Sequence, residues 1–391
     1  MKKKKIAILL DGPIKNDGRV RRIIESLSLI HNVDLYYIDG QENDKELFNK
    51  NVNLFSNSIY GNWITQNFKF QNKFKEIENS ILKNISTYDI IYCNDYPLLA
   101  LGVKLKKVNK RIKLIYDSHE IYIETINQFF PTKGLKAIYG KLFIEINKIY
   151  HSLQEKRLVK NIDEFITVCD SFKFYFEKKY DLRKIKVIKN FPRLASNLFD
   201  RNNLLREVLK LPNTSLILLY QGVLNKGRGL EKMIQACSLL NQNEHFVILG
   251  DGPIKNDLEQ LKKDLNVSNV HFLEKVPFEK LLRYTASADI GILFIQPINK
   301  SKELTLPNKV FEYMAGSLFI FSNSLPESSN LIKEVNCGLI LKNDDPKNIA
   351  EEITKISNNK KLLANGSNGK EAFIRNLNWE KQEETLLEVF K

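Results

Sequence analysis

Short apolar runs recur along the chain at strand spacing, each followed by a stretch in which apolar residues return every three or four positions. In the first half the runs fall at 5–10, 33–38, 89–92, 113–116, 164–168 and 186–188. Continuous apolar strands alternating with helix-period segments predict a parallel sheet with crossover helices on its faces. A polar stretch at 190–203, containing Pro192, breaks the rhythm and reads as a linker. A second series follows at 215–220, 246–249, 270–273, 290–294 and 318–321, so the pattern predicts two Rossmann-like halves. At 379–390, Leu386, Leu387 and Phe390 sit at helical spacing and predict a further helix.

With 391 residues, 43% hydrophobic and 27% charged, the chain has enough apolar material for two domains. No stretch approaches the roughly 18 apolar residues of a membrane span, and the run 6–10 behind Lys2–Lys5 is cut by Asp11, so neither a span nor a signal peptide is expected. Cys93, Cys169, Cys237 and Cys337 stand singly, a spacing that suits a reducing compartment better than zinc sites or a disulfide scaffold. The net charge of +14 sits almost entirely in residues 1–200. Such asymmetry points to an anionic surface (an acidic membrane leaflet, a phosphorylated lipid acceptor or a nucleic acid) or simply to lysine-rich solvated faces. Within this half, Leu135, Ile138, Tyr139, Leu142, Phe143, Ile146, Ile149 and Leu153 lie at helical intervals among lysines. That amphipathic segment, 135–159, reads either as a packing face or as a membrane-surface helix, and packing is the commoner use of such a stripe.

Four patterns carry candidate chemistry. The heptapeptide Asp-Gly-Pro-Ile-Lys-Asn-Asp occurs at 11–17 and at 251–257, each time behind an apolar strand, and reads as two strand-to-helix turns of similar chemistry. The glycine-rich stretch 220–230 joins a strand to a helix. Gly222, Gly227 and Gly229 let the backbone approach a ligand, the helix start offers amides, and Arg228, with Lys226 beside it, suits phosphate oxygens. The segment 306–316 reads as a loop entering a short helix, with Pro307 at its start and Gly316 at its end. There Glu312 can accept both hydroxyls of a ribose, and the amides of Asn308 and Lys309 can reach a phosphate. The run Tyr116-Asp117-Ser118-His119-Glu120 ends a strand where open α/β sheets place ligands, and it offers acid–base or metal-binding groups.

Together these blocks resemble the family 4 glycosyltransferases, a retaining family of the GT-B fold. The resemblance runs through Asp17-Gly18-Arg19-Val20, the run 117–120, Asn190-Phe191-Pro192, the turn 222–229, Gly250-Asp251-Gly252-Pro253, Ala288-Asp289-Ile290 and the segment 307–316. It covers almost the whole chain in order and spacing. It implies an α/β GT-B architecture of two Rossmann-like domains facing each other across a cleft: an acceptor domain at 1–193, with the helix 377–391 packed back on it, and a nucleotide-sugar donor domain at 194–376. The implied catalytic residues are His119, at the donor sugar, Arg228 and Glu312. The implied donor contacts are Gly12, Gly222, Lys226, Gly227, Arg228, Gly250, Asn308, Lys309 and Glu312.

Three positions depart from the family pattern. Val223 stands where the family has an arginine, and Arg228 where it has a lysine. Of the family's two glutamates spaced by seven, Glu312 matches the second, but Leu304 occupies the first and Glu303 lies one residue away.

The activity this implies is transfer of a sugar from a UDP- or GDP-linked donor to a glycan or lipid-linked acceptor. It would proceed with retention, without a metal or other cofactor and without nucleic acid, in bacterial envelope polysaccharide synthesis. The implied location is cytoplasmic, peripheral to the inner membrane face. Rival readings are a nucleotide-sugar 2-epimerase on the same fold and a basic nucleic-acid-binding protein, for which no motif is present. A dinucleotide dehydrogenase is weaker still, since Asp11-Gly12-Pro13 stands where the full glycine fingerprint would be.

Overall fold

The apolar run Lys5–Leu10 forms a central strand, β1, because every residue from Ile6 to Leu10 is buried and both faces of the sheet need apolar side chains. In a computed structural model, residues 2–57, 73–125, 136–194 and 200–391 are described, with backbone alone at 136–142 and 278–279. They divide into two compact units, Met1–Asn190 with Gln382–Lys391, and Phe191–Lys381.

The first unit holds β1, β2 (Asn32–Ile38), β3 (Val52–Asn57), β4 (Ile90–Asn94), β5 (Lys113–Ser118), β6 (Glu164–Thr167) and β7 (Ile185–Val187). All pair in parallel, in the order β3-β2-β1-β4-β5-β6-β7. Ile6 lies between Val33 and Ile90, so the order reverses beside β1, and the carboxyl ends of β1 and β4 diverge there. The apolar pattern does not announce β3. It lies at the sheet edge with alternate residues in water, so its sequence Val-Asn-Leu-Phe-Ser-Asn is half polar.

The second unit holds β8 (Leu216–Gln221), β9 (Glu244–Leu249), β10 (Val270–Leu273), β11 (Ile290–Leu293), β12 (Phe319–Asn323) and β13 (Gly338–Leu341). Their order is β10-β9-β8-β11-β12-β13, again all parallel, with the reversal between β8 and β11. Leu218, Ile248, Ile290 and Phe321 form the core with Met233 and Ile353 from helices. Each such side chain contributes about 1.5–3 kcal/mol by leaving water. The edge strand β13, Gly-Leu-Ile-Leu, is an apolar run of four residues that the expected series does not include.

The helix Trp379–Val389 spans both units in sequence. Its first residue donates from the Trp379 amide to the Pro192 carbonyl (2.9 Å) in the second unit. Its far end belongs to the first: Phe390 stacks on Tyr92 at 5.7 Å, Lys4 Nζ donates to the Phe390 carbonyl (2.8 Å), and Lys113 Nζ donates to that of Val389 (2.6 Å). Residues 195–199 of the predicted linker lie outside the described residues, whereas Phe191, at its start, is buried against Phe311 with ring centroids 4.5 Å apart.

The helix Lys136–Leu158 corrects one expectation. Leu135 lies outside the described residues, and the side chains of Ile138, Tyr139 and Leu142 are not described. Of the rest of the stripe, Phe143, Ile146, Ile149 and Leu153, with Tyr150 beside them, are exposed, up to 64% at Leu153. The packing face is largely polar instead. Buried Glu155 accepts from Tyr116 Oη (2.7 Å) and from Tyr180 Oη, and Tyr96 Oη lies 2.8 Å from His151 Nδ1. Tyrosine hydroxyls from the sheet and the next helix satisfy the carboxylate, so the apolar stripe is left turned outward. Among the described residues no helix is long and apolar enough to cross a membrane.

The two copies of the heptapeptide fold differently. In the first, Asp17 caps the helix Gly18–Ser28 by accepting from the Val20 amide (2.9 Å), and Gly12 holds φ +153° in open space. In the second, the helix Lys255–Asp264 already includes the equivalent Asp257, and Gly252 is packed so tightly that a Cβ would lie 2.5 Å from the Leu224 carbonyl oxygen. Tertiary contacts set each turn, and the shared peptide does not mark a structural repeat.

Candidate functional site

In the second unit three segments meet at the carboxyl end of β8, beside the reversal of strand order. Strand β8 ends at Gln221, and Gly222 turns the chain with φ +124°, a conformation that side chains rarely adopt. The loop continues to Gly229, which has φ +65° and opens the helix Leu230–Cys237; a Cβ there would stand 2.8 Å from Phe294 Cβ. Glycine thus lets this loop lie on the end of β11, where the Gln296 amide donates to the Gly227 carbonyl at 2.8 Å. Gly250, with φ +152°, serves the same loop from behind. A Cβ on it would sit 2.1 Å from the Gly222 carbonyl oxygen, so its part is to let the two loops touch.

The helix Asn308–Ala315 is the third segment. No side chain caps its start at Pro307, which leaves the positive end of the helix available to an anion. Val310, Phe311, Tyr313 and Met314 are buried and fix its roll; Tyr313 Oη donates to the carbonyls of Leu219 (3.2 Å) and Ile292 (3.1 Å). Gly291 makes this possible, since a Cβ on it would lie 2.5 Å from the Tyr313 ring. Glu312 is held by Gln221, whose Nε2 donates to Oε2 at 2.6 Å, and Gln221 Oε1 in turn accepts from Thr285 Oγ1 at 2.7 Å. A carboxylate oriented by a buried amide is suited to receive a pair of hydroxyls.

Two cations face this corner. Lys309 Nζ lies over the Tyr220 ring, 3.5 Å from its centroid, and would be 3.5 Å from a Cβ on Gly222. Burial, reinforced by Arg228 and opposed by Glu312, holds its ammonium well below the usual lysine range. The same charges that act on Lys309 place Arg228 and Glu312 around it. Among the described residues, neither Arg228 nor Lys309 has an ion-pair partner within 4 Å. Lys226 and Asn308, also predicted as contacts, are exposed at the rim. Glu303 pairs with Lys300 (2.6 Å) on the short helix Lys300–Glu303.

The predicted residues of the first unit occupy a different setting. Asp117, at the end of β5, is fully buried and receives a fork from Arg19: Nε to Oδ2 at 2.9 Å and Nη2 to Oδ1 at 3.0 Å. Tyr92 Oη also donates to it, and Arg19 Nη1 donates to the Ile188 carbonyl at 2.6 Å. His119 follows, with Nε2 3.0 Å from Asp117 Oδ2 and Nδ1 3.5 Å from Asp95 Oδ2, while its amide donates to Asp95 Oδ1 (2.8 Å). Burial opposes the charge on Asp117, yet Arg19 and His119 outweigh it and hold the carboxyl well below its ordinary range. Asp117 is therefore a buried anchor rather than an acid–base group. Burial lowers the His119 pKa, but Asp95 and Asp117 overcome it and raise the imidazole to about 9. Among the described residues no three His, Cys, Asp or Glu side chains gather as a metal set.

A pH dependence follows for stability. Since the His119 pKa is raised from 6.5 to about 9 on folding, its contribution is complete below pH 6.5 and lost as pH rises through 9. Burial raises Asp95 to about 6, so its own effect falls in a separate window, between its ordinary pKa of 3.8 and about 6. The urea midpoint of the wild type should fall between pH 7 and 9.5 more than that of His119→Asn; equal slopes would reject the assignment.

Residues 201–373 match the family model described as glycosyl transferases group 1. An uncharacterised glycosyltransferase of Methanocaldococcus jannaschii is 24% identical over 202 residues, which cover 50% of this chain and 54% of that protein. The match thus spans about half the length of that curated relative. Among solved structures, sucrose-phosphate synthase of Thermosynechococcus elongatus superposes with a TM-score of 0.78 at 17% identity, over 99% of this chain and 98% of that one. HepE of Anabaena, in complex with UDP and glucose, gives 0.75 at 15% identity over 99% of both chains. WaaG, a glycosyltransferase involved in lipopolysaccharide biosynthesis, gives 0.70 at 16% over 98% of both. At such identities the likeness is one of fold. The chain has the GT-B fold of two Rossmann-like parallel sheets, and the match to the glycosyl transferases group 1 model lies within its second unit.

Proposed function

We propose that the protein is a glycosyltransferase of the family 4 type that takes a sugar from a nucleoside-diphosphate donor and adds it, with retention, to a glycan or lipid-linked acceptor. The observation that carries this reading is the corner at the end of β8, where Arg228, Lys309 and an uncapped helix start surround an oriented Glu312. Cations without partners beside helix amides suit a diphosphate, and a carboxylate one helical turn away suits a ribose. UDP is the first donor nucleotide to test, because HepE is solved with it; GDP is the second.

In the transfer, the bond between the sugar's anomeric carbon and the phosphate oxygen breaks, and the acceptor hydroxyl forms the new bond on the same face while its proton passes to the departing phosphate. The task left to the protein is to stabilise the diphosphate as it leaves, and Arg228 with the start of the helix Asn308–Ala315 does this electrostatically. Within the first unit, Asp95 and Asp117 favour the charged form of His119, which suits it to donate a hydrogen bond rather than to act as a base. A thermal-shift series with UDP, GDP, ADP and their sugars tests the reading. Stabilisation by one nucleotide supports it, and no shift with any of them defeats it. Donor consumption in the absence of an acceptor would instead favour the 2-epimerase.

The proposed setting is the cytoplasmic face of an anionic membrane, in envelope polysaccharide synthesis. The support for it is the exposed stripe Phe143, Ile146, Ile149, Tyr150 and Leu153, which the exposed Lys156, Arg157 and Lys160 continue along the helix. Liposomes containing acidic lipid should carry the protein upward on flotation, and Ile146→Glu with Leu153→Glu should abolish this. Recovery of the wild type only in the dense fraction at low salt would remove the membrane from the proposal.

A further inference from the structure

The departure at Val223 removes a cation from the diphosphate corner, and the fold supplies another from elsewhere. Val223 is 57% exposed and carries no charge, while Lys309 reaches the adjacent residue, Gly222, from the helix Asn308–Ala315. We propose that the Lys309 side chain is the second cation of the donor site, taking the place left by Val223 and meeting the diphosphate across the bare backbone of Gly222. This rests on the donor-site reading above and names a side chain for it, where the sequence suggested only the Lys309 amide.

Three features support the assignment. Stacking on Tyr220 aims the Lys309 amine, and among the described residues no acidic group lies within ion-pair distance of it. Glycine at 222 leaves nothing between it and the loop backbone, and the positive φ there excludes most side chains. The charged groups facing it are Arg228 from the glycine loop and Glu312 from its own helix, with Tyr220 beneath it on β8. A diphosphate arriving at Gly222 meets Lys309 together with Arg228.

Titration calorimetry of UDP, GDP, uridine and guanosine with the wild type and its variants tests the assignment. The wild type should bind the diphosphate more tightly than the nucleoside. Lys309→Met should weaken diphosphate binding roughly 10- to 100-fold and leave nucleoside affinity unchanged, while Lys309→Arg should keep most of the affinity. Wild-type diphosphate affinity in Lys309→Met would overturn the inference alone, as would equal losses for nucleoside and diphosphate, which mark a structural role. Failure of the wild type to bind either nucleotide would overturn the donor-site reading together with it.

Discussion

Arg228→Met should lower kcat/KM for the nucleotide-sugar donor by about tenfold to a few hundredfold, with the larger part in kcat. A charge-assisted hydrogen bond is worth about 1.5–3 kcal/mol, and among the described residues Arg228 has no acidic partner within 4 Å to absorb that energy before the donor arrives. Charge builds up on the diphosphate as the sugar departs, so a cation placed there favours the transition state over the bound donor. Arg228→Lys should fall between the two, because a lysine gives a point charge without the fork. Steady-state kinetics with the cognate donor checks this, and a kcat within twofold of wild type for Arg228→Met would exclude the role. Arg228 is only partly buried, so its loss should leave the unfolding midpoint close to that of the wild type.

The largest effect on stability is expected at Arg19→Met, at about 3–5 kcal/mol, the usual cost of breaking a buried ion pair from one side. Arg19 is 2% exposed and Asp117 is fully buried, and removing the guanidinium leaves a carboxylate that Tyr92 and His119 satisfy only in part. It also frees the Ile188 carbonyl that Arg19 covers. Urea unfolding measures the loss. Adding Asp117→Asn to Arg19→Met should recover part of it, since the penalty comes from an uncompensated charge. A loss below 1 kcal/mol in the single variant would show that the pair is not what joins the helix Gly18–Ser28 to β5.

The central strands were legible because both their faces are buried, which makes runs such as Leu216–Gln221 continuously apolar. The edge strand β3 was not, because half its residues face water and the apolar run dissolves, and the short run Gly338–Leu341 of β13 lies outside the expected series although it is apolar. Glycine spacing marked the loop from Gly222 to Gly229, but not the reason for each residue. Gly250, expected as a ligand contact, also yields room for the Gly222 carbonyl, a requirement set by a loop nearly thirty positions away. Asp117 and His119 looked like one catalytic group, yet Asp117 is committed to Arg19 at a separation of 98 residues, which no local pattern reveals. The amphipathic helix shows the same limit. Periodicity found the stripe, while its orientation was decided by Glu155, a single polar residue on the opposite side that finds two tyrosine hydroxyls.

Gln382–Lys391 belongs with Met1–Asn190, and this sets the order in which the polypeptide can finish folding during synthesis. The second unit is contiguous, so all of it has been translated once residue 381 has been added. The first unit, although begun earlier on the ribosome, must wait for Phe390 to cover Tyr92 and for the backbone carbonyls that Lys4 and Lys113 hold. The part made first is thus the last to be completed, and until then it is a sheet with one aromatic face unsealed.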